Sequence, residues 1–391
     1  MNISAFSSTR GRLERDEEKD YHYFMPAGLP VGFDIDDVLL GLLVRASKAL
    51  GELKNLGMEF GATMGFSAML FIRPYLRKEA VLSSKIEGTV STLYDVLEAE
   101  ASPRAGKAET MGDLLEVLNY VAAQEKGISM LKAGSDINAG FVTELHSTLL
   151  RHVRGERDRP GKIREVQNYI SRAGLPDLKD AVYVPPKAKL VPALLDNLFS
   201  YMSAEGMPGI VKVALMHYQF EAIHPFLDGN GRIGRLLIML YLIRYGDLSQ
   251  PLLYMSAYFE RNREEYYRLL LEVSTSGRYA EWVKFFMKGI IEQSESALSK
   301  SSRLFEYHRE IAKRLKETGR STALKLADML FTHPIITIPM AAKLMGVSYP
   351  AAKASVYEAA MLGILQQQEM PGITGRPKRF VAREILDIYD A

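Results

Sequence analysis

Apolar residues recur along most of this chain at the three-to-four-residue step of helices that bury one face. Between residues 35 and 100 this period places Val38, Leu39, Leu42, Leu43 and Ala46 on one side. It resumes from Met111 to Leu131, from Asn138 to Leu150, and through most of residues 190 to 291. A charged helix, Glu292 to Lys316, is expected to lead to the C-terminal stretch. Arg154 to Pro186 breaks the pattern, being rich in Gly, Pro, Arg and Asp. Its short β-prone pieces, Val166 to Ile170 and Ala181 to Val184, predict a long loop followed by a hairpin. Ala101 to Lys107 reads as a loop by composition, and residues 1 to about 20 as polar and loose. The fold class is mainly α.

The C-terminal stretch has its own punctuation. Ile338 to Met345 reads as a short helix stopped by Gly346, with Ser348 as the N-cap of a second helix from Tyr349 to Leu362. Ile364 to Gln367 and Arg379 to Ala382 are then expected to be two strands around Pro371 to Gly375. That order is a winged helix-turn-helix. The organisation expected is a helical region over 1–110, a central unit over 111–291, and a linker helix with the winged unit over 292–391.

Charge and composition narrow the classes. The net charge of +2 supplies no global field toward nucleic acid or anionic membrane. With no cysteine, disulfides and thiolate metal sites are excluded. The longest strongly apolar run, Leu236 to Ile243, is too short to span a bilayer, and the first twenty residues hold no apolar signal core. A cytoplasmic location is expected. In the winged unit, Lys325, Lys343, Lys353, Arg376, Lys378, Arg379 and Arg383 face Asp328, Glu358, Glu369, Glu384, Asp387 and Asp390, an excess of one cation. Its second helix carries only Lys353 as a cation. Recognition of a protein partner is favoured there over DNA binding, which stays open for the Arg376 to Arg379 cluster.

The chemistry concentrates in residues 224 to 235, His-Pro-Phe-Leu-Asp-Gly-Asn-Gly-Arg-Ile-Gly-Arg. Gly229, Asn230 and Gly231 form a turn into an apolar helix, whose first N–H groups suit a phosphate. Arg232 and Arg235 are three apart and can grip further oxygens. Asp228 is a hard carboxylate suited to Mg²⁺ beside that anion, and His224 is suited to a general base. Singly, each residue has a plainer reading, as a core histidine, a turn or a solvated arginine. The local conflict favours function: two arginines at a helix start oppose the helix dipole. Gly229, Gly231 and Gly234 also match the dinucleotide fingerprint, but the helical stretch before them and Pro225 argue against a βαβ unit.

This segment resembles the signature of the Fic (filamentation induced by cAMP) family, His-Pro-Phe-x-Asp/Glu-Gly-Asn-Gly-Arg-x-x-Arg, at every fixed position. Ser83-Ser-Lys-Ile-Glu87-Gly88 is similar to the family's inhibitory helix. Gly161 to Asn168 and Ala181 to Pro186 resemble the two ends of its target-docking flap. The resemblance implies a Fic-type helical core with a small β-hairpin flap, and protein adenylyltransferase activity on Mg²⁺- or Mn²⁺-bound ATP. By that resemblance His224 deprotonates a Tyr, Thr or Ser hydroxyl of a target protein, and Asp228 holds the metal. Gly229, Asn230 and Gly231 bind the α- and β-phosphates, and Arg232 and Arg235 the β- and γ-phosphates. Glu87, positioned with Ser83 and Gly88, withholds Arg235 from the γ-phosphate. Arg261 or Asn262 is expected to contact adenosine.

Self-modification and a homodimer are further implications; a membrane partner is not. Gly231, where the phosphorylating branch of the family carries Lys, favours adenylylation over phosphorylation or phosphocholine transfer. Removal of AMP remains an alternative within the fold. A transcriptional regulator or partner-binding protein using the winged unit is the alternative outside enzymology.

Overall fold

The computed structural model describes residues 1–7, 10–64, 68–101, 111–153, 159–171, 178–368 and 378–390. The loop expected from Ala101 to Lys107, except Ala101 itself, and the wing tip at Pro371 to Gly375 lie outside the described residues. The chain opens with an antiparallel hairpin, β1 (Gly11–Asp16) and β2 (Tyr21–Pro26), in which Gly11 faces Pro26 and Asp16 faces Tyr21. The segment expected to be loose therefore holds a strand. Phe24 is buried beneath it, and the Phe24 N–H donates to Val184 O at 2.9 Å.

Three helices follow: α1 (Asp37–Met64), α2 (Ala68–Ile86) and α3 (Leu93–Ala101). On α1 the buried stripe is Leu39, Leu42, Ala46, Ala49, Leu50 and Leu53. Val38, expected on that face, is 64% exposed. It lies in the first turn of α1, one position before the stripe starts, and a first-turn residue has no preceding turn to cover it. α1 lies along the long helix α11 described below, and α2 packs against the middle of the chain.

The central unit contains α4 (Met111–Lys132) and α5 (Ala139–Leu149), then the flap strands β3 (Ile170–Ser171) and β4 (Ala181–Tyr183). The strands pair antiparallel, as a shorter hairpin than the apolar pattern suggests, since Val166 to Tyr169 lie outside it. Next come α6 (Val191–Ser203), α7 (Gly209–Ile223), α8 (Asn230–Arg244), α9 (Ser256–Arg261) and α10 (Arg263–Ser276). Helices α7 and α8 are buried on all sides, as helices apolar around their circumference must be. They pack on each other, and residues 224 to 229 join them. The loop with the candidate chemistry thus hangs between two helices that are buried on nearly every side.

One helix, α11 (Tyr279–Lys316), runs from the central unit into the C-terminal one, a span of about 57 Å at 1.5 Å per residue. The charged helix expected from Glu292 is its second half, so position 292 marks no break in the chain path. Trp282 pins it to the core, its Nε1 donating to Ala214 O at 2.8 Å.

The C-terminal unit is α12 (Ala323–Thr332), β5 (Ile335–Thr337), α13 (Ile338–Met345), α14 (Tyr349–Met361), β6 (Gln366–Gln368), β7 (Arg379–Val381) and α15 (Arg383–Asp390). Gly346 closes α13 at φ +64°, and the Ser348 hydroxyl caps α14 by accepting from Ala351 N. Helices α13 and α14 and strand β7 lie within a residue of their expected bounds, and β6 starts at Gln366 where a strand from Ile364 was expected. A third strand, β5, joins them in the order β5-β7-β6.

Candidate active site

His224 ends α7 in the left-handed region, at φ +49° and ψ +63°, which swings its side chain out of the helix. Its Nδ1 lies 3.3 Å from Glu221 O. A carbonyl only accepts, so Nδ1 carries the proton and Nε2 keeps its lone pair, the form a general base needs. Burial holds the imidazole down at about 4, so it stays neutral in the absence of added negative charge. An arriving polyphosphate would raise it toward working pH by favouring the imidazolium.

The loop folds on itself. Asn230 Oδ1 accepts from Phe226 N at 2.8 Å and its Nδ2 donates to Phe226 O at 2.8 Å. The Asn230 side chain is thus spent on loop shape, leaving its backbone N–H for an anion. Gly229 stands at φ +76° before α8 and brings no side-chain cap. The first α8 amides therefore have no intrahelical acceptor and point out of the helix. Asp228 is half exposed: Oδ1 accepts from Gly229 N at 2.6 Å and Oδ2 lies 3.2 Å from Arg232 Nη2. Arg232 is buried and also pairs with Glu116 of α4 at 2.9 Å.

The two separated motifs meet here. Arg235, 2% exposed, donates from Nε to Ser83 Oγ at 2.8 Å and from Nη2 to Ser83 O at 2.9 Å. The same Nη2 lies 2.6 Å from Glu87 Oε1. That carboxylate rests on the start of α8, because a Cβ built on Gly231 would stand 2.3 Å from Glu87 Oε1. Glu87 is held there by the helix stop. Gly88, at φ +104°, donates to Lys85 O, and Thr89 N donates to Ser84 O, a paired αL termination of α2 that needs glycine. Ser83, Glu87, Gly231 and Arg235 are thus brought together.

Other members of the site have no role assigned from sequence, Arg164 and Asn168 falling only within the stretch that resembles the flap. Arg164, buried at the start of the flap, donates from Nε to His224 O at 2.9 Å, and its backbone N donates to Pro225 O at 2.9 Å. Asn168 Nδ2 donates to Phe226 O at 2.8 Å. The buried His146 of α5 lies 3.0 Å from Asp228 O. Glu221, beneath Gly234, carries a carboxyl that burial pushes up to about 8. Tyr267 is partly exposed, and burial first, then the charge of Glu87, pushes its phenol up to about 12. A core histidine or a flap arginine has no local signature, and only the cluster of its partners marks it. Of the two residues expected at adenosine, Arg261 pairs with Glu292 at the surface, and Asn262 Nδ2 donates to Tyr258 O at 2.9 Å.

A helical core thus presents an uncapped helix start, a histidine with a free Nε2 and a guanidinium held by an acid, an arrangement suited to a phosphate-bearing ligand. Residues 40–129 match the Fic/DOC family N-terminal profile and residues 136–242 the Fic/DOC family profile, together about half the chain. The chain belongs to the Fic/DOC family. Protein adenylyltransferase Fic of Drosophila grimshawi is 27% identical over 203 residues, which are 51% of this chain and 38% of the fly protein. A probable protein adenylyltransferase of Aquifex aeolicus is 37% identical over 93 residues, 24% of this chain and 27% of that one. The matches thus span well under half the length of these relatives. A Fic family protein of Desulfovibrio desulfuricans G20 superposes with a TM-score of 0.56 at 20% identity, over 90% of this chain and 98% of its own. Fic-1 of C. elegans superposes with a TM-score of 0.51 at 22% identity, over 68% and 76%. These two share the fold.

Proposed function

We propose that this chain transfers AMP from Mg·ATP to a hydroxyl side chain of another protein, and that Glu87 holds it inhibited. The observation that carries the reading is the Glu87 carboxylate lying on the first turn of α8 and against Arg235. An anion already sits where a helix start and a guanidinium would take a phosphate.

His224 Nε2 accepts the target hydroxyl proton as the oxygen attacks the α-phosphorus. The bond from the α-phosphorus to the bridging oxygen breaks, and pyrophosphate leaves. The backbone turn at Gly229 aims the Asn230 and Gly231 amides, which orient the phosphates, and Arg235, once free of Glu87, holds the γ-phosphate. Asp228 suits Mg²⁺: its carboxylate is half exposed beside the start of α8, and Mg²⁺ is commonly held by one carboxylate plus phosphate and water oxygens. When bound, the metal offsets the charge of the triphosphate. The flap would align a target segment by strand addition.

The test is incubation of Glu87→Gly with labelled ATP, followed by mass spectrometry for an AMP adduct on itself and on lysate proteins. Adducts should form and should vanish in Glu87→Gly/His224→Ala. No adduct on any protein from a folded Glu87→Gly variant would falsify the reading. Adduct removal without formation would instead place the chain among AMP-removing enzymes.

A further inference from the structure

We propose that His146 is a positioning residue for this transfer: its two ring nitrogens tie the turn that carries Asp228 to the first residue of the flap segment. The inference rests on the adenylyltransferase reading. His146 projects from α5 into the core and is fully buried, its ring stacked on Phe226 at 3.8 Å with 7° between the planes. Gly161 N donates to Nδ1 at 2.9 Å, and Nε2 lies 3.0 Å from Asp228 O. A backbone N–H offers only a proton and a carbonyl only lone pairs. A single tautomer, protonated on Nε2, therefore satisfies both partners.

Both tied turns are shaped to fit α5. Gly161 stands at φ +77°, and a Cβ there would lie 3.0 Å from Ser147 Cβ and 3.1 Å from Thr143 O. Gly229 stands at φ +76°, with its Cβ position 3.3 Å from Leu149 and 3.5 Å from the His146 ring. One helix face thus receives the start of the flap and the approach to α8. Three residues after Gly161, Arg164 grips the carbonyl of His224. The loop is consequently pinned at both ends from the flap side, at residue 224 through Arg164 and at residue 228 through His146. The base and the metal carboxylate must act on one α-phosphate, so their separation is a catalytic quantity. His146 touches neither substrate nor metal; it acts through Asp228 and Gly161.

The test separates these ties from simple filling of the core. His146→Phe keeps a buried ring on Phe226 and removes both hydrogen bonds, whereas His146→Gln restores one donor and one acceptor. In the Glu87→Gly background, His146→Phe is expected to slow transfer about 10–100-fold, the usual range for groups that orient ligands from behind. ATP affinity should stay within about threefold, since the α8 amides and Arg235 are untouched. The Mg²⁺ concentration for half-maximal rate should rise, and His146→Gln should recover several-fold over His146→Phe.

An independent readout needs neither nucleotide nor metal. Nitrogen-15 NMR of histidine-labelled wild type should show His146 protonated on Nε2 and not on Nδ1. A folded His146→Phe variant with parental rate and Mg²⁺ response overturns the proposal, and so does an Nδ1-protonated signal. If both variants fail to fold, the NMR signature decides the ties. An inactive Glu87→Gly parent refutes the adenylyltransferase reading itself, and the catalytic role of His146 with it, even where the NMR signature is found.

Discussion

Helix α2 has two working faces, and they are built differently. Toward the motif it presents Glu79, Ser83 and Glu87, one turn apart. Glu79 accepts from Ser256 N at 3.2 Å, and Ser83 and Glu87 hold Arg235. Toward the C-terminal unit it presents Tyr75, Arg77 and Lys78. Arg77 is 5% exposed and makes two bonds to Glu100 of α3, at 2.7 and 2.8 Å, and one to Thr332 O of α12 at 3.3 Å. Tyr75 packs edge-on against Tyr389, and Lys78 donates to Tyr389 O. Glu98 and Tyr94 of α3 extend this seam to Arg379 and Gln368.

The difference lies in how each face can be undone. The Glu87 side chain is about a third exposed while Arg235 is almost fully covered, so that tie can be released by one side chain turning into water. The Arg77 pair is bidentate and roofed by the C-terminal unit, so it cannot open toward water, whereas Arg235 keeps two bonds to Ser83 when Glu87 turns away. Release of Glu87 therefore requires no undocking of α2, and the rear seam is the structural hold.

Breaking this comparison starts with the chemistry that the front face guards. In the Glu87→Gly background, His224→Ala is expected to lower AMP transfer about 10²–10⁴-fold with nucleotide binding kept, as loss of a general base does. Near-parental transfer in the folded double variant would remove His224 from the mechanism. Asp228→Ala is expected to cost about 10²-fold, and EDTA to stop turnover of the parent; full turnover in excess EDTA contradicts this. Glu87→Gly alone should raise self-modification about tenfold or more, the equivalent of removing a competitor worth about 1.4 kcal/mol, with little change in Tm. Equal or lower transfer by the folded variant would deny Glu87 its inhibitory role.

Arg77→Ala should do the reverse. It is expected to cost about 3 kcal/mol of stability, measured by denaturant unfolding, by leaving Glu100 with only His333, at 3.4 Å, beside α12. A loss below about 0.5 kcal/mol would show that the rear seam is not the stronger hold.

The smallest effect concerns Glu79, whose carboxyl burial pushes up to about 7. A raised carboxyl adds stability that is fully present below its unfolded value near 4.5 and is lost as pH rises through 7. The Tm of wild type relative to Glu79→Gln should accordingly fall between pH 5 and pH 8. A pH-independent difference would mean that Glu79 docks as the charged form.

Much of this was legible in the sequence because it is local. The motif from His224 to Arg235 is contiguous, so the residue types of base, carboxylate, glycine turn and arginines stand in reading order. Helix periods report burial directly, which is why α4, α5, α13 and α14 fell within a residue or two of expectation. The pairing of Glu87 with Arg235, separated by 148 positions, was approached only through resemblance to a family.

Tertiary structure alone decided what depends on distant partners. The polar first strand forms because Phe24 can bury against the flap, a gain invisible in residues 1 to 20. Arg232 is tied to Glu116, Arg261 to Glu292 and His146 to Gly161 and Asp228. Charge pairs and buried hydrogen bonds are set by which helices meet, and the apolar period that builds a helix says nothing of its neighbour. Sequence determined the chemical groups and the helices that carry them; the packing of α2, α4 and α5 around α8 decided which groups face the start of α8 and which are spent holding that turn in shape.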